Sequence, residues 1–301
     1  MCGIVGLFLK SESLEPDLGR LTALMLHEMR DRGPDSAGFA VYDSSGGRGG
    51  GTTKITVMSA RDPDWGALAG RVEAALGVAV TARPVADHAI LETRADGAAV
   101  RHWLIDNEPG LTVLSTGQKI ELFKGVGDPD AVAARFGLAG RQGSHAIAHT
   151  RMATESAVTI AGSHPFSTGA DTCLVHNGSL SNHNWLRLDL ERAGERFQTE
   201  NDSEVAAAYV AAQMRRGADL KTALHHAIAD LDGFFTFAIG TAAGFAVLRD
   251  PIACKPAVIA ETDDWVAMSS EFRAIAQLPG VTHAQIWEPE PGIVYSWDRA
   301  A

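Results

Sequence analysis

The chain opens Met1-Cys2-Gly3-Ile4-Val5-Gly6, a cysteine followed at once by an apolar run that lasts to Leu9. That run reads as a buried strand over residues 3–9, so the cysteine stands at the point where a core strand begins. Methionine is normally trimmed when the next residue is small, and the expected mature chain therefore starts at Cys2. Its free α-amine has an ordinary pKa of about 7.7–8.0, close to working pH. One residue then supplies both a thiol nucleophile and a base to activate it. The plainer alternative is a cysteine that merely begins a buried strand, and the residues downstream decide between the two.

After this strand, Leu18, Leu21, Met25 and Met29 recur at helical spacing. The helix they predict stops at Arg32-Gly33-Pro34-Asp35, where Gly and Pro end helices. Residues 38–42 read as the next strand, and the Gly/Ser-rich run over 44–53 as a flexible loop. The segment 54–143 alternates between strands and helices. It includes predicted strands over 78–81, 89–92 and 100–105, and a predicted hairpin of 111–115 with 119–123 turning at Thr116-Gly117-Gln118. Helices follow over 184–193 and 202–214, with apolar strands over 173–175, 234–239, 245–248, 257–259 and 266–269. No period of 20–50 residues repeats, which excludes a solenoid.

Bulk properties narrow the class further. The 301 residues are 46% hydrophobic and 21% charged, enough for a substantial core. A net charge of −11 argues against nucleic acid or an anionic membrane as the main partner. The opening apolar run is too short to span a bilayer and lacks a basic flank. Three unevenly spaced cysteines do not make a disulfide scaffold, and a free thiol suits a reducing compartment, so the cytoplasm is expected.

The residues that carry chemistry lie in separated motifs. Met-Cys-Gly-Ile-Val-Gly is followed by Arg32-Gly33-Pro34-Asp35-Ser36-Ala37-Gly38, then His149-Thr150-Arg151-Met152-Ala153-Thr154 and His164-Pro165-Phe166. Val175-His176-Asn177-Gly178-Ser179-Leu180-Ser181-Asn182 and Asn201-Asp202-Ser203-Glu204 complete the series. In this order the chain resembles the class II glutamine amidotransferases, which are N-terminal-nucleophile hydrolases. The resemblance covers the first and last thirds of the chain. It implies an α+β fold, the four-layer αββα sandwich of that superfamily. The amidotransferase domain would run over 2–301 with an inserted α/β segment at about 54–143, a docking module for a partner or a lid.

Cleaving a glutamine side-chain amide needs a nucleophile, donors for the oxyanion, and anchors for the α-carboxylate and α-amine. Cys2 is the candidate nucleophile. Asn177 and Gly178 follow a strand, where a side-chain N–H and a backbone N–H can converge on one oxygen, and the resemblance gives them the oxyanion hole. An isolated Asn-Gly is otherwise an ordinary turn. Arg151 can fork onto a carboxylate, which lysine does poorly, and by resemblance it holds the substrate α-carboxylate. Asp202 matches the aspartate that holds the α-amine. Asp also favours helix N-caps, a duty that Asn201 or Ser203 can take instead. Arg32 matches an arginine beside the nucleophile, where a cation favours thiolate. Thr154 and His164 match positions near the pocket.

The remaining candidates read as structural. Cys173 and Cys254 are expected to be inert buried thiols. His149, His164, His176 and His183 recur near the motifs without zinc or iron spacing, so no metal is expected. His225 and His226 belong to a helix surface.

In this family ammonia released from glutamine passes to a second site. The chain has no sugar-isomerase half, no phosphoribosyl-binding acidic run and no Ser-Gly-Gly-x-Asp-Ser loop. It is similar in this respect to the separate glutaminase subunits of glutamate-synthase-like systems, including N-methylglutamate synthase. That similarity implies no cofactor in this chain and a synthase partner carrying FMN and an iron–sulfur cluster. Two other classes stay open at this point: a glutamine-sensing regulatory subunit without turnover, and an N-terminal-nucleophile amidase acting on another amide. Arg151 and Asp202 speak against the second, because an acyl substrate without an amino-acid head needs neither anchor.

Overall fold

The opening apolar run forms the strand Gly3–Leu9, buried along its whole length. The computed structural model describes residues 2–44, 51–61, 63–152 and 158–299. Successive strand residues point to opposite faces. Val5, Leu7 and Leu9 accordingly enter one core, while Ile4 and Phe8 enter another. A strand apolar on both faces requires a covering layer on each side. Gly3–Leu9 pairs antiparallel with His145–Arg151 and with Trp265–Ser269. Ser36–Tyr42 lies beyond His145–Arg151, and Ile120–Val126 closes that edge of a seven-stranded sheet.

A five-stranded antiparallel sheet faces it, with Thr172–Leu180 and Gly233–Gly240 paired along their length. The inner faces of the two sheets share one core, to which the first gives Ile4, Phe8 and Ile147 and the second Val175, Ala238 and Val247. Helices Leu18–Glu28, Pro129–Arg135 and Phe272–Ile275 cover the outer face of the seven-stranded sheet. Helices Asp202–Arg215 and Leu220–Asp230 cover the outer face of the other. The result is a four-layer αββα sandwich.

A four-stranded sheet stands apart from these two. It takes Thr53–Ser59, Val80–Val85, His88–Thr93 and Leu111–Gly117. Helices Trp65–Leu76 and Gly97–Asn107 close its own small core. The α/β module therefore spans residues 53–117, and the rest of the expected 54–143 segment belongs to the sandwich. The predicted hairpin of 111–123 is split between the two bodies. Asp171 captures the backbone N–H groups of Gln118, Lys119 and Ile120 at 2.7–2.9 Å, which turns the chain out of one sheet and into the other. Gln198 ties the module from the far side, donating to Val113 O and accepting from Val113 N, both at 2.8 Å.

Residues 100–105, predicted as a strand, lie in the helix Gly97–Asn107. Asp96 caps it by accepting Ala99 N–H, and the buried Val100 and Leu104 sit one turn apart. Among the described residues no helix is long and apolar enough to cross a membrane. The Gly/Ser-rich run at 45–50 lies outside the described residues.

Candidate active site

The site forms where three strands end between the sheets. Cys2 continues the inner-face parity of Ile4 and Phe8. His149 and Arg151 continue that of Ile147, and Asn177 that of Val175. Strand alternation thus aims Cys2, His149, Arg151 and Asn177 at one place. The cleft there measures about 370 Å³ and is lined by Cys2, Arg151, His164, Asn177, Gly178 and Asp202, with His176 and Ser203 in its wall. Five of the residues singled out from sequence beside Cys2 therefore meet it in one cleft: Arg151, His164, Asn177, Gly178 and Asp202. Thr154 lies outside the described residues.

Cys2 is half-buried. Burial by itself pushes its thiol up, but the adjacent His149 first, then the Met152 main chain and the N-terminal charge, together outweigh this and bring it down to about 7. Asn177 is held beside it by three contacts. Its Nδ2 donates to Cys2 O at 3.2 Å and to Ser270 Oγ at 3.3 Å, while its Oδ1 lies 3.1 Å from His149 Nε2. Gly178 has φ +147°, and a Cβ there would stand 1.9 Å from Phe234 O. Only glycine fits this position.

Arg32 lies beside Cys2 and reaches it through the main chain. Its Nε donates to Cys2 O at 3.1 Å and its Nη1 pairs with Glu271. The cation is therefore neutralised and bound to the main chain of Cys2, where it fixes the residue's position. It does not line the cleft. The Gly33 that follows is forced by close approach, since a Cβ there would lie 2.5 Å from Arg151 N. The Arg-Gly-Pro motif thus packs directly under the strand end that carries Arg151.

Asp202 is the first residue of the helix Asp202–Arg215, and Asn201 caps that helix by accepting Ser203 N–H at 2.9 Å. The Asp202 carboxylate is left to the cleft wall, where it accepts Leu180 N–H at 2.9 Å and Ser203 Oγ–H at 3.2 Å. His176 presents Nδ1 to Ser203 Oγ at 2.9 Å, and burial pulls it down to about 4. The His164 ring packs at a tilt of 43° against that of His149, with centroids 4.2 Å apart. Burial first, then the neighbouring His149, holds it well below its usual range, so both His164 and His176 are neutral near pH 7. Lys124 Nζ fixes the turn that carries His164 by donating to Ala161 O and Ser163 O at 3.0 and 2.8 Å.

His149 and Ser270 were not singled out from sequence as site residues. His149 had a signal, since it stands two residues before Arg151 and so shares its strand face. Ser270 had none. Cys173 is buried, with its thiol pushed up to about 12 by burial. Cys254 is exposed instead of buried, because it follows Ala253 in a left-handed turn outside the sheets. Among the described residues, no group of three His, Cys, Asp or Glu side chains is arranged to hold a metal ion.

Comparison with known proteins fits this geometry. A glutamine amidotransferase domain model matches residues 149–277. The glutamine amidotransferase-like protein GlxB of Rhizobium meliloti is 54% identical over 300 residues, covering 99% of both chains. The chain belongs to the glutamine amidotransferase family. A glutamine–fructose-6-phosphate aminotransferase of Zymomonas mobilis is 41% identical over 97 residues, which are 32% of this chain and 16% of that one. The fold matches that of the glutamine phosphoribosylpyrophosphate amidotransferase from B. subtilis with a TM-score of 0.61 at 22% identity, covering 99% of this chain and 47% of that chain.

Proposed function

We propose that this chain hydrolyses the side-chain amide of L-glutamine through a thioester on Cys2 and passes the ammonia to a synthase partner. The observation that carries the reading is the convergence on one cleft of a low-lying thiol, an Asn-Gly donor pair, a guanidinium and a carboxylate. Each answers one demand of the reaction. Arg151 anchors the α-carboxylate and Asp202 the α-ammonium, which selects an amino acid over a plain acyl amide.

With Met1 removed, the α-amine of Cys2 takes the thiol proton directly or through one water, and the thiolate attacks the side-chain carbonyl carbon. The oxyanion accepts from Asn177 Nδ2 and the Gly178 backbone N–H. Both Asn177 contacts are long, so one N–H can turn to the new oxygen without breaking a strong bond. The C–N bond then breaks as the ammonium returns its proton to the leaving ammonia. Water attacks the thioester carbon, the amine again takes a proton, and the C–S bond breaks to release glutamate and the thiol. Arg32 and Glu271 keep the Cys2 main chain in place through both halves.

The ammonia acceptor lies on a partner of the synthase type, bearing FMN and an iron–sulfur cluster, and the compartment is the cytoplasm. The test is steady-state ammonia and glutamate release from L-glutamine by the wild type and Cys2→Ala, with affinity capture of the partner from the native host. Equal glutamate and ammonia from the wild type and none from Cys2→Ala are expected. Glutamine binding without turnover by the captured complex would instead mean a sensing subunit.

A further inference from the structure

A second cleft, of about 500 Å³, opens where the 53–117 module meets the sandwich and shares no lining residue with the first. Gly97 and Ala98, the first turn of the module's helix Gly97–Asn107, form one wall. Gly169 and Ala170 form another. Arg101 reaches the cleft from the same helix. It is only 8% exposed, and its Nη1 is buried with no partner among the described residues. A buried guanidinium is costly unless it is paired.

The carboxylates of this cleft are already committed elsewhere. Asp96 caps the helix through Ala99 N–H at 2.9 Å. Asp171 holds the amides of Gln118, Lys119 and Ile120, and Glu195 pairs with Arg215. Burial pulls Arg101 down and the charge of Glu204 opposes this. Yet Glu204 is taken by the amides of Gln198 and Thr199 and by Thr199 Oγ1. Arg196 and His102 add positive or dipolar donors at the mouth, although Arg196 also reaches Asp106 at 3.1 Å. The orphan amides at a helix start favour negative charge as well.

We propose that this cleft binds a small molecule through a phosphate or carboxylate group seated on Arg101 and the first-turn amides of Gly97 and Ala98. The guanidinium fork suits either anion, and the volume is that of a small-molecule site. Such a ligand bridges the two bodies, since Arg101 belongs to the module and Arg196 and Arg215 to the sandwich. The inference stands apart from the glutaminase reading and is tested by binding alone.

The experiment is a thermal-melt titration of the full chain with inorganic phosphate and with citrate, each against sodium chloride at matched ionic strength. A saturable rise in Tm beyond chloride is expected. A response to phosphate alone assigns a phosphoryl ligand, and a response to citrate alone a carboxylate one. Arg101→Gln should weaken the response more than tenfold, with its own ligand-free Tm at or above that of the wild type because an unpaired buried charge is gone. Arg196→Gln, on the exposed rim, should weaken it several-fold with Tm unchanged. The proposal is overturned if neither anion acts beyond chloride, or if Arg101→Gln responds like the wild type. Should Arg101→Gln fail to fold, an unchanged response in Arg196→Gln overturns it equally.

Discussion

The Nε2 of His149 lies 3.1 Å from Oδ1 of Asn177, so a side-chain hydrogen bond joins the two sheets of the sandwich beside Cys2. Asn177 Nδ2 faces two acceptors, Cys2 O and Ser270 Oγ, so its Oδ1 is the acceptor for His149. His149 Nε2 therefore carries the proton of this bond. In the proposed reaction this histidine both orients the oxyanion donor and tunes the nucleophile.

Removing it tests that double role. Burial pushes the Cys2 thiol up, and His149 is the first of the influences that together bring it down to about 7. In His149→Ala that influence is lost and the thiol titrates at higher pH. The check is the alkylation rate of the Cys2 peptide by iodoacetamide against pH. The wild-type rate should be half-maximal near pH 7 and fall about tenfold per unit well below it. The variant's midpoint should move upward.

Asn177→Ala should lower kcat by roughly 10²–10³ with little change in the glutamine KM, because the donor serves the oxyanion more than the bound substrate. Steady-state glutamate release measures both constants. A large KM change with kcat intact would move Asn177 from the oxyanion to substrate anchoring.

Arg151→Lys should do the reverse. Lysine keeps the charge but loses the two-pronged geometry, so KM should rise about tenfold or more while kcat stays within a few-fold. Asp202→Asn should also raise KM. The helix it begins should keep its stability, because Asn201 supplies the cap. Thermal melts of Asp202→Asn and Asn201→Ala separate the two duties, with a loss of about 1 kcal/mol expected only in the second.

Gly178→Ala tests the backbone at the cleft. A methyl group there would press on Phe234 O from a residue at φ +147°. A loss of more than about 2 kcal/mol in denaturant unfolding is expected, together with loss of glutamine turnover.

Much of this arrangement was legible in the sequence because strand parity is local. Alternation along residues 3–9 and the apolar spacing of Leu18, Leu21 and Met25 specify one strand apolar on both faces and a helix to cover it. The motif residues Cys2, Arg151, Asn177 and Asp202 then met as expected. The sandwich itself did not follow from periodicity, since an ordinary α/β fold alternates in the same way, and it came from the motif resemblance. What stayed hidden depended on distant partners. Residues 111–123 look like a hairpin until the carboxylate of Asp171 redirects the chain between them. Residues 100–105 look like a strand until Asp96 caps a helix over them. The ion pair of Arg32 with Glu271 is hidden in the same way, since 239 residues separate the two.

The most direct test is peptide mapping of the intact, purified chain after reaction with a diazo-ketone analogue of glutamine. The expected result is loss of Met1 and a single adduct on the sulfur of Cys2, with the exposed Cys254 unmodified. Retention of Met1 in active material, or an adduct on Cys254 and none on Cys2, would contradict the account.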